Sequence, residues 1–144
     1  MADTAFPKEL WGCWRDLTVA YNTFARQAGV DTSELYVVDA LWNADGGLTQ
    51  REIGELCDMG KQTVSVVCKR LEARADICLQ QSRTDKRAKI VVLTSDGRAR
   101  WWDAIEKMRA CEASAVAGIS KEDADHFMRI CKRYTEAFVK EVQR

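Results

Sequence analysis

Residues 60–72, with the sequence GKQTVSVVCKRLE, combine an apolar face with a polar face made largely of short side chains. Val64, Val67, Cys68 and Leu71 recur at helical spacing, which predicts an amphipathic helix that buries this face. The opposite face offers an amide, hydroxyls and basic groups instead of the Glu and Lys mixture of an ordinary solvated helix. These groups suit duplex DNA, because short polar side chains allow close approach and long acidic ones would repel phosphate.

Each polar residue type on this helix has its own way of contacting DNA. Gln can form two hydrogen bonds with the edge of adenine, and Ser and Thr can reach base edges or phosphates. The methyl groups of Val suit a thymine methyl. Lysine side chains suit phosphates. The candidate DNA contacts in this segment are Lys61, Gln62, Thr63, Ser65, Val66, Lys69 and Arg70.

A polar, basic loop, SRTDKRA, separates the two β-rich runs ICLQQ and KIVVL further along the chain. This pattern predicts a hairpin whose tip could reach the adjacent minor groove or its phosphates. Asp85 is the exception in the loop, and we expect it to brace the tip by pairing with Arg87 or with Arg51. The basic candidates on or beside the tip are Arg83, Lys86, Arg87 and Lys89.

The elements that must position these residues are predicted in the order α-α-α-α-β-β-α-α, a mainly α (α+β) fold. A short helix that ends near Cys57 is joined by the turn DMG to a helix of about residues 61–74. Two helices joined by a short turn containing glycine form a helix-turn-helix, and the hairpin adds a two-stranded wing. The predicted helix starts are Pro7, Thr32 or Ser33, the capping boxes TQRE at 49–52 and SKED at 120–123, and Thr94.

The first and last helices carry long apolar stripes, from Leu10 to Phe24 and from Phe127 to Val142. Burying each large apolar side chain contributes about 1.5 to 3 kcal/mol, and these stripes are more than one small lobe can hide. We therefore expect a homodimer, the alternative being packing within one chain. The predicted domains are an N-terminal dimerisation helix over 1–30, a DNA-binding lobe over 31–97 and C-terminal dimerisation helices over 98–144.

The composition of the 144 residues, 47% hydrophobic and 31% charged, is typical of one globular domain. The net charge is zero, but residues 61–91 hold eight Lys and Arg against three Asp and Glu, whereas residues 1–60 hold four against ten. The basic block therefore coincides with the candidate DNA contacts. No apolar run approaches the roughly 18 residues of a membrane span, and the start MADTAFPKEL lacks a secretory pattern, so we expect a cytoplasmic protein without a membrane partner.

The six cysteines form no C-x-x-C pair, and His126 is the only histidine. We therefore expect no zinc or other metal site and no cofactor, with the thiols reduced and used as small hydrophobic groups. His126 has no Ser or Cys partner in a recognisable motif, and no Gly-rich phosphate loop is present. The sequence therefore does not predict an enzyme.

Short motifs between positions 48 and 97 align without gaps with those of a known family. They are Leu48-Thr49, Lys61-x-Thr63-Val64-Ser65, Leu71-Glu72, Asp85-Lys86-Arg87 and Leu93-Thr94-x-x-Gly97. This third of the chain resembles the multiple-antibiotic-resistance regulator (MarR) family of winged-helix transcription factors.

The resemblance implies a homodimer whose first and last helices interlock, and two lobes that read a pseudo-palindromic operator with half-sites about 34 Å apart. It also implies a regulator, here expected to be a repressor, that a small aromatic or phenolic effector often releases. In members of that family, the residue that matches Arg87 commonly inserts in the minor groove, and the residue that matches Asp85 orients the wing.

Four positions depart from the family pattern. Ala75 stands where a glycine is expected after the second helix of the helix-turn-helix, and Asp76 stands where an apolar residue is usual. We therefore expect the connection into the wing to bend differently. Leu79 and Val66 occupy positions often held by arginine, and these replacements are expected to weaken contacts with phosphates or bases.

Aromatic residues would line a cleft between the predicted dimer helices and the DNA-binding lobe, although core packing is the alternative for each of them. Cys13 resembles in placement the sensing cysteine of peroxide-responsive members, the alternative being a buried core filler. Because of Cys13, a thiol-based oxidant-sensing regulator of this fold stays open as a second function. A third is a winged-helix protein-interaction module, for which the basic tip would be incidental. The candidate effector-pocket residues are Trp11, Trp14, Tyr36 and Trp42.

Overall fold

The structure is a computed structural model that describes residues 5–82 and 84–144. Over these ranges it has six helices and two strands in the predicted order, which confirms the mainly helical class with a two-stranded wing. None of the helices in the described ranges combines the length and apolar character needed to cross a membrane. The elements are α1 (Ala5–Ala28), α2 (Thr32–Trp42), α3 (Gln50–Cys57), α4 (Lys61–Ala73), β1 (Ile77–Gln81), β2 (Lys89–Leu93), α5 (Ser95–Val116) and α6 (Lys121–Val142).

Two helix starts differ from the sequence prediction. Asp31 caps α2, because its Oδ1 accepts from the amide of Glu34 at 3.1 Å, and Thr32 and Ser33 therefore lie within the first turn. A carboxylate at this place also interacts favourably with the helix dipole. α1 begins two residues before Pro7, which falls in the first turn, where its missing N–H has no intrahelical partner to lose.

The chain divides into two compact units, a first that ends at Met108 and a second over residues 109–144. The core of the first unit gathers apolar side chains from α1, α2, α3, α4, both strands and the first half of α5. Each large side chain buried there contributes about 1.5 to 3 kcal/mol, so the core fixes the positions of α3 and α4. The largest fully buried apolar residues are Leu35, Leu41, Ile53, Leu71 and Ile105.

The apolar stripe of α1 divides between the core and the surface. Tyr21 and Phe24 pack against the core of the first unit, and Ala25 is fully buried. Trp14 and Leu17 remain exposed on this chain, at 66% and 55% of their full area. The C-terminal part of the predicted stripe therefore packs within the first unit, whereas Trp14 and Leu17 nearer the N-terminus are exposed.

The wing is an antiparallel hairpin in which Ile77 of β1 pairs with Leu93 of β2. Sequence reasoning missed a third element beside it, an isolated bridge between Leu48 and Val91 whose two backbone hydrogen bonds measure 3.0 and 2.7 Å. Gly47 permits this approach, because its φ is 87° and an added Cβ would lie 2.4 Å from the carbonyl oxygen of Val91. The bridge anchors the segment before α3 to the wing.

The second unit contains the end of α5, a turn and α6. Ser120 caps α6 as predicted, since its Oγ accepts from the amide of Asp123 at 3.0 Å. Tyr134 and Phe138 stack one turn apart, with ring centroids separated by 6.0 Å. All of α6 is described, and none of its residues is buried within this chain. Its exposed large hydrophobic residues are Phe127, Met128, Ile130, Phe138, Val139 and Val142.

Candidate nucleic-acid interface

α3 and α4 form the helix-turn-helix that the sequence predicts. α3 starts at the predicted capping box, in which the Glu52 amide donates to Thr49 Oγ1 at 3.2 Å and the Thr49 amide donates to Glu52 Oε2 at 2.7 Å. Hydrogen bonds from Thr49 lower the pKa of Glu52, which favours its charged form at the helix start. The turn closes because the Met59 amide donates to the Gly54 carbonyl at 2.9 Å, and an added Cβ on Gly54 would lie 2.9 Å from the Met59 carbonyl oxygen. A glycine is therefore needed for the two helices to approach.

α4 buries the face that the sequence predicts. Val64, Val67, Cys68 and Leu71 are each exposed over 3% of their area or less. The predicted DNA contacts lie on the other side of the helix, where Ser65 is partly buried. The exposed candidates are Lys61, Gln62, Thr63, Val66, Lys69 and Arg70.

Hydrogen bonds within the loop hold the wing tip in shape. Asp85 Oδ1 accepts from the Arg87 amide at 2.9 Å, so Asp85 is joined to Arg87 through the backbone and not through the guanidinium. Ser82 Oγ accepts from the Asp85 amide at 3.1 Å. Arg51, the other partner considered for Asp85, instead donates from Nε to Glu55 at 2.9 Å. Among the described residues, the tip is therefore braced by hydrogen bonds within the loop.

The described basic side chains of α4 and the wing are exposed and available for phosphates. None of them takes part in the ion pairs found among residues 5–82 and 84–144. Arg83, a further predicted contact, lies outside the described residues, and its role stays a prediction. The exposed basic residues are Lys61, Lys69, Arg70, Lys86, Arg87 and Lys89.

The connection from α4 into the wing contains an ion cluster around a buried aspartate, which sequence reasoning missed. Asp76 is fully buried, and its Oδ2 accepts from Trp101 Nε1 at 3.1 Å and from Arg74 Nε at 3.2 Å. Arg100 donates to the other oxygen of this carboxylate. Arg74 also donates from Nη2 to Oε2 of Glu34 in α2 at 2.7 Å, and this hydrogen bond is the main cause that raises the pKa of Arg74. The cluster therefore joins α2, the end of α4, the start of the wing and α5.

The backbone beside this cluster is tightly packed. Ala75, where the family pattern expects glycine, has a φ of 59°, in the left-handed region that favours glycine. Thr94 caps α5 as predicted, because its Oγ1 accepts from the Gly97 amide at 2.9 Å. An added Cβ on Gly97 would lie 2.1 Å from the carbonyl oxygen of Asp76. Gly97 is therefore needed where α5 meets the start of the wing.

The four aromatic candidates for an effector pocket are not alike. Tyr36 is partly buried, and its burial raises the pKa of the phenol. Trp42 is partly buried, and its ring centroid lies 6.0 Å from that of Trp102. Trp11 and Trp14 are exposed on α1, at 67% and 66% of their full area. A cleft of about 470 Å³ in the same unit is lined by residues of α3, the turn and the start of α4 instead. The effector pocket therefore stays a prediction.

All six cysteines are free thiols. Burial raises the pKa of Cys68 to about 11, and burial followed by the nearby charge of Asp39 raises that of Cys57. Cys13 is exposed, so its interpretation as a buried core filler is wrong within this chain. Among the described residues no cluster of three or more His, Cys, Asp or Glu side chains could hold a metal ion.

Comparison with known proteins supports the winged-helix description. The model of the MarR family matches residues 28–88. A relative from Bacillus subtilis (strain 168), the uncharacterized HTH-type transcriptional regulator YwoH, is 30% identical over 91 residues, which cover 63% of this chain and 66% of that protein.

Two solved structures share the fold over almost the whole chain. NMB1585, a MarR family regulator from Neisseria meningitidis, has a TM-score of 0.81 and 23% identity, covering 94% of this chain and 95% of its own. A putative MarR family transcriptional regulator from Listeria monocytogenes, complexed with 26mer DNA, has a TM-score of 0.70 and 19% identity, covering 98% of this chain and 92% of its own. At these identities the similarity shows the fold alone.

Proposed function

Because this chain belongs to the MarR family, we propose that it is a transcriptional regulator that binds double-stranded DNA in a sequence-specific way. The observation that carries the proposal is the outward face of α4, where Gln62, Thr63 and Lys69 are exposed opposite the core. The same lobe has a braced wing tip that exposes Arg87. The Listeria relative complexed with 26mer DNA supports this function.

We assign the contacts by the chemistry of each side chain. α4 enters the major groove, where Gln62 reads an adenine edge and Thr63 and Ser65 bond base edges or phosphates. The wing reaches the adjacent minor groove with Arg87, while Asp85 keeps the loop in shape. The remaining basic residues proposed to neutralise phosphates are Lys61, Lys69, Arg70, Arg83, Lys86 and Lys89.

The protein acts as a homodimer in this proposal, with residues 1–30 and 98–144 forming the dimer and residues 31–97 forming each DNA-binding lobe. The exposed large apolar side chains of α1 and α6 support it, because exposed apolar surface of this kind often marks an interaction site on a soluble protein. Two lobes related by a twofold axis then read a pseudo-palindrome with half-sites about 34 Å apart. Sedimentation equilibrium tests this step, and a monomer at micromolar concentration would contradict it.

The regulation proposed is repression that a small aromatic effector relieves. The exposed indoles of Trp11 and Trp14 support a role for this side of α1, together with Tyr36 and Trp42. The dimer would need two conformations that differ in the distance between the lobes, of which one fits DNA. An effector can release DNA only if its affinity differs between these two conformations. Titration of the protein–DNA complex with a panel of phenols and aromatic acids tests this step. Unchanged DNA affinity across the panel would exclude such an effector.

A second candidate, a thiol-based oxidant sensor of the same fold, is favoured by the exposure of Cys13. An accessible thiol can be oxidised to a sulfenic acid or disulfide, whereas a buried one is protected. Hydroperoxide should then release DNA from the wild type and from Cys111→Ser, which lacks another exposed thiol, but not from Cys13→Ser. Equal release from all three proteins, or from none, would exclude Cys13 as the sensor.

Selection of bound duplexes from a random DNA pool tests the main proposal. The expected result is an enriched inverted repeat, which would establish sequence specificity and twofold symmetry together. Binding should weaken steeply with salt, because neutralising phosphates releases counterions. A protein-interaction module would enrich no sequence even at low salt, and that result would overturn the proposal.

A further inference from the structure

Val66 lies at the centre of the outward face of α4. Gln62 is one turn before it and Lys69 is about one turn after it, and these spacings place the three side chains on one side of the helix. That side is opposite Val64 and Leu71, which are buried in the core. Val66 is 48% exposed, and within α4, which is described throughout, it is the only exposed large hydrophobic residue.

This position decides what the middle of the helix can recognise. An arginine here could bond the O6 and N7 atoms of guanine, but valine has neither a donor nor an acceptor. Its branched side chain is short and stiff, so it presents methyl groups at a fixed distance from the helix. The only apolar group that a base pair shows in the major groove is the C5-methyl group of a pyrimidine.

We infer that Val66 contacts the C5-methyl group of one pyrimidine in each half-site, and that this contact sets the base preference at that position. The inference rests on the proposed DNA-binding function and adds the chemical group that is read. Gln62 on the same face suits an adenine, so the centre of each half-site is read through A·T pairs. Both thymine and 5-methylcytosine carry the required methyl group, whereas cytosine and uracil do not.

The expected effect is modest and measurable. Burying one methyl group against apolar atoms favours binding by about fourfold, and a symmetric operator contains the contact in both half-sites. Loss of both methyl groups should therefore weaken binding by roughly fifteenfold if the half-sites contribute independently. Val66→Ala should be well folded, because alanine is a better helix former than valine and the site is exposed.

The test uses the full-length protein and the duplex recovered by selection, with thymines replaced by deoxyuridine one symmetric pair at a time. In the wild type, one pair of replacements should weaken binding roughly fifteenfold. Val66→Ala should bind the thymine duplex more weakly than the wild type does, and it should not distinguish thymine from deoxyuridine there. Val66→Thr keeps one methyl group on the same branched scaffold and should retain part of the preference.

A second arm separates the two sources of the methyl group. At the sensitive position the T·A pair is replaced by C·G or by 5-methylcytosine·G. Tighter binding to the methylated duplex by the wild type, but not by Val66→Ala, would show that the methyl group is read from either base. Equal binding to both duplexes, with the deoxyuridine effect retained, would restrict the reading to thymine.

Two results overturn the inference while leaving the proposed function intact. One is a selected duplex that binds specifically but tolerates deoxyuridine at every position, and the other is a deoxyuridine effect that persists unchanged in Val66→Ala. If the protein binds no DNA at all, the proposed function fails and this inference fails with it.

Discussion

The indole nitrogen of Trp101 donates to the buried carboxylate of Asp76 at 3.1 Å, and this bond joins α5 to the residue that precedes the wing. Arg74 and Arg100 balance the charge of Asp76 from the partly exposed side. Arg74 extends the network to Glu34 in α2. α4 and the wing therefore leave the core from a common polar junction, which fixes one end of each.

Replacement of Asp76 should destabilise the fold. Asp76→Ala leaves a buried indole N–H without an acceptor and takes one acceptor from each of two guanidinium groups, and the expected loss is about 3 kcal/mol in the free energy of unfolding. The matched control is Asp103→Ala, which removes an exposed carboxylate paired with Lys107 and should cost about 0.5 kcal/mol or less. Urea unfolding measures both, and equal effects would contradict a structural role for the cluster.

Two helical glycines should respond to alanine in opposite directions. Gly97→Ala places a Cβ against the carbonyl oxygen of Asp76, whereas Gly12→Ala meets only the far end of the Arg15 side chain at 3.9 Å. The first variant should lose at least about 2 kcal/mol of stability, because backbone must move to make room. The second should gain up to about 1 kcal/mol from helix propensity. Thermal unfolding distinguishes them, and a stable Gly97→Ala would show that the junction is loosely packed.

Ala75→Gly should stabilise the protein. The φ of 59° at Ala75 is unfavourable for a residue with a Cβ, so glycine should add about 1 kcal/mol to the free energy of unfolding. Asp58, with a φ of 50°, is the control, since aspartate tolerates this region and Asp58→Gly should gain less. Urea unfolding of both variants measures the difference. A loss of stability in Ala75→Gly alone would mean that the chain entropy of glycine outweighs the relief of strain.

Alkaline pH should weaken the fold through Cys68. Its pKa is about 11 in the folded chain and 9.0 for an unperturbed thiol, so the unfolded state loses this proton first as the pH rises. The stability is fully present below pH 9 and is lost progressively up to about pH 11, by roughly 2 kcal/mol. Cys68→Ala should lack this part of the pH dependence, and Cys111→Ala, which removes an exposed thiol, should keep it. The test is urea unfolding at a series of pH values.

The helix-turn-helix and the wing could be predicted because their signals are local. Thr49 and Glu52 lie one turn apart, the apolar residues of α4 recur at helical spacing, and the strand runs flank a polar loop. The ion cluster could not be predicted in the same way, because Glu34, Arg74 and Asp76 meet Arg100 and Trp101 only after α2 and α5 have packed. The one sign of the cluster in the sequence was Asp76, which stands where the family pattern has an apolar residue.

The division of the α1 stripe also depends on tertiary packing. Helical spacing gives the same weight to Trp14 and Phe24, yet Phe24 packs against the core and Trp14 is exposed. Likewise, the bridge between Leu48 and Val91 joins backbone groups that are far apart in the chain, and no side-chain pattern encodes it. For the candidate interface, the sequence predicted which side chains of α4 lie opposite the buried face, because a single helix has a fixed period.

Arg87→Ala should weaken DNA binding without unfolding the protein. Arg87 is exposed, and only its backbone amide takes part in the bracing of the wing by Asp85, so truncation of its side chain leaves that hydrogen bond in place. Loss of one positive charge from the minor groove in each lobe should reduce the slope of log affinity against log salt by about 1 for each charge, because fewer counterions are released on binding. The control is Lys107→Ala, which removes a basic side chain of α5 that is paired with Asp103 and should leave the slope unchanged.

Fluorescence anisotropy at a series of salt concentrations gives the slopes, and thermal unfolding gives the stability. A melting temperature of Arg87→Ala that falls by many degrees would contradict the separation of DNA contact from folding, and an unchanged slope would remove Arg87 from the interface.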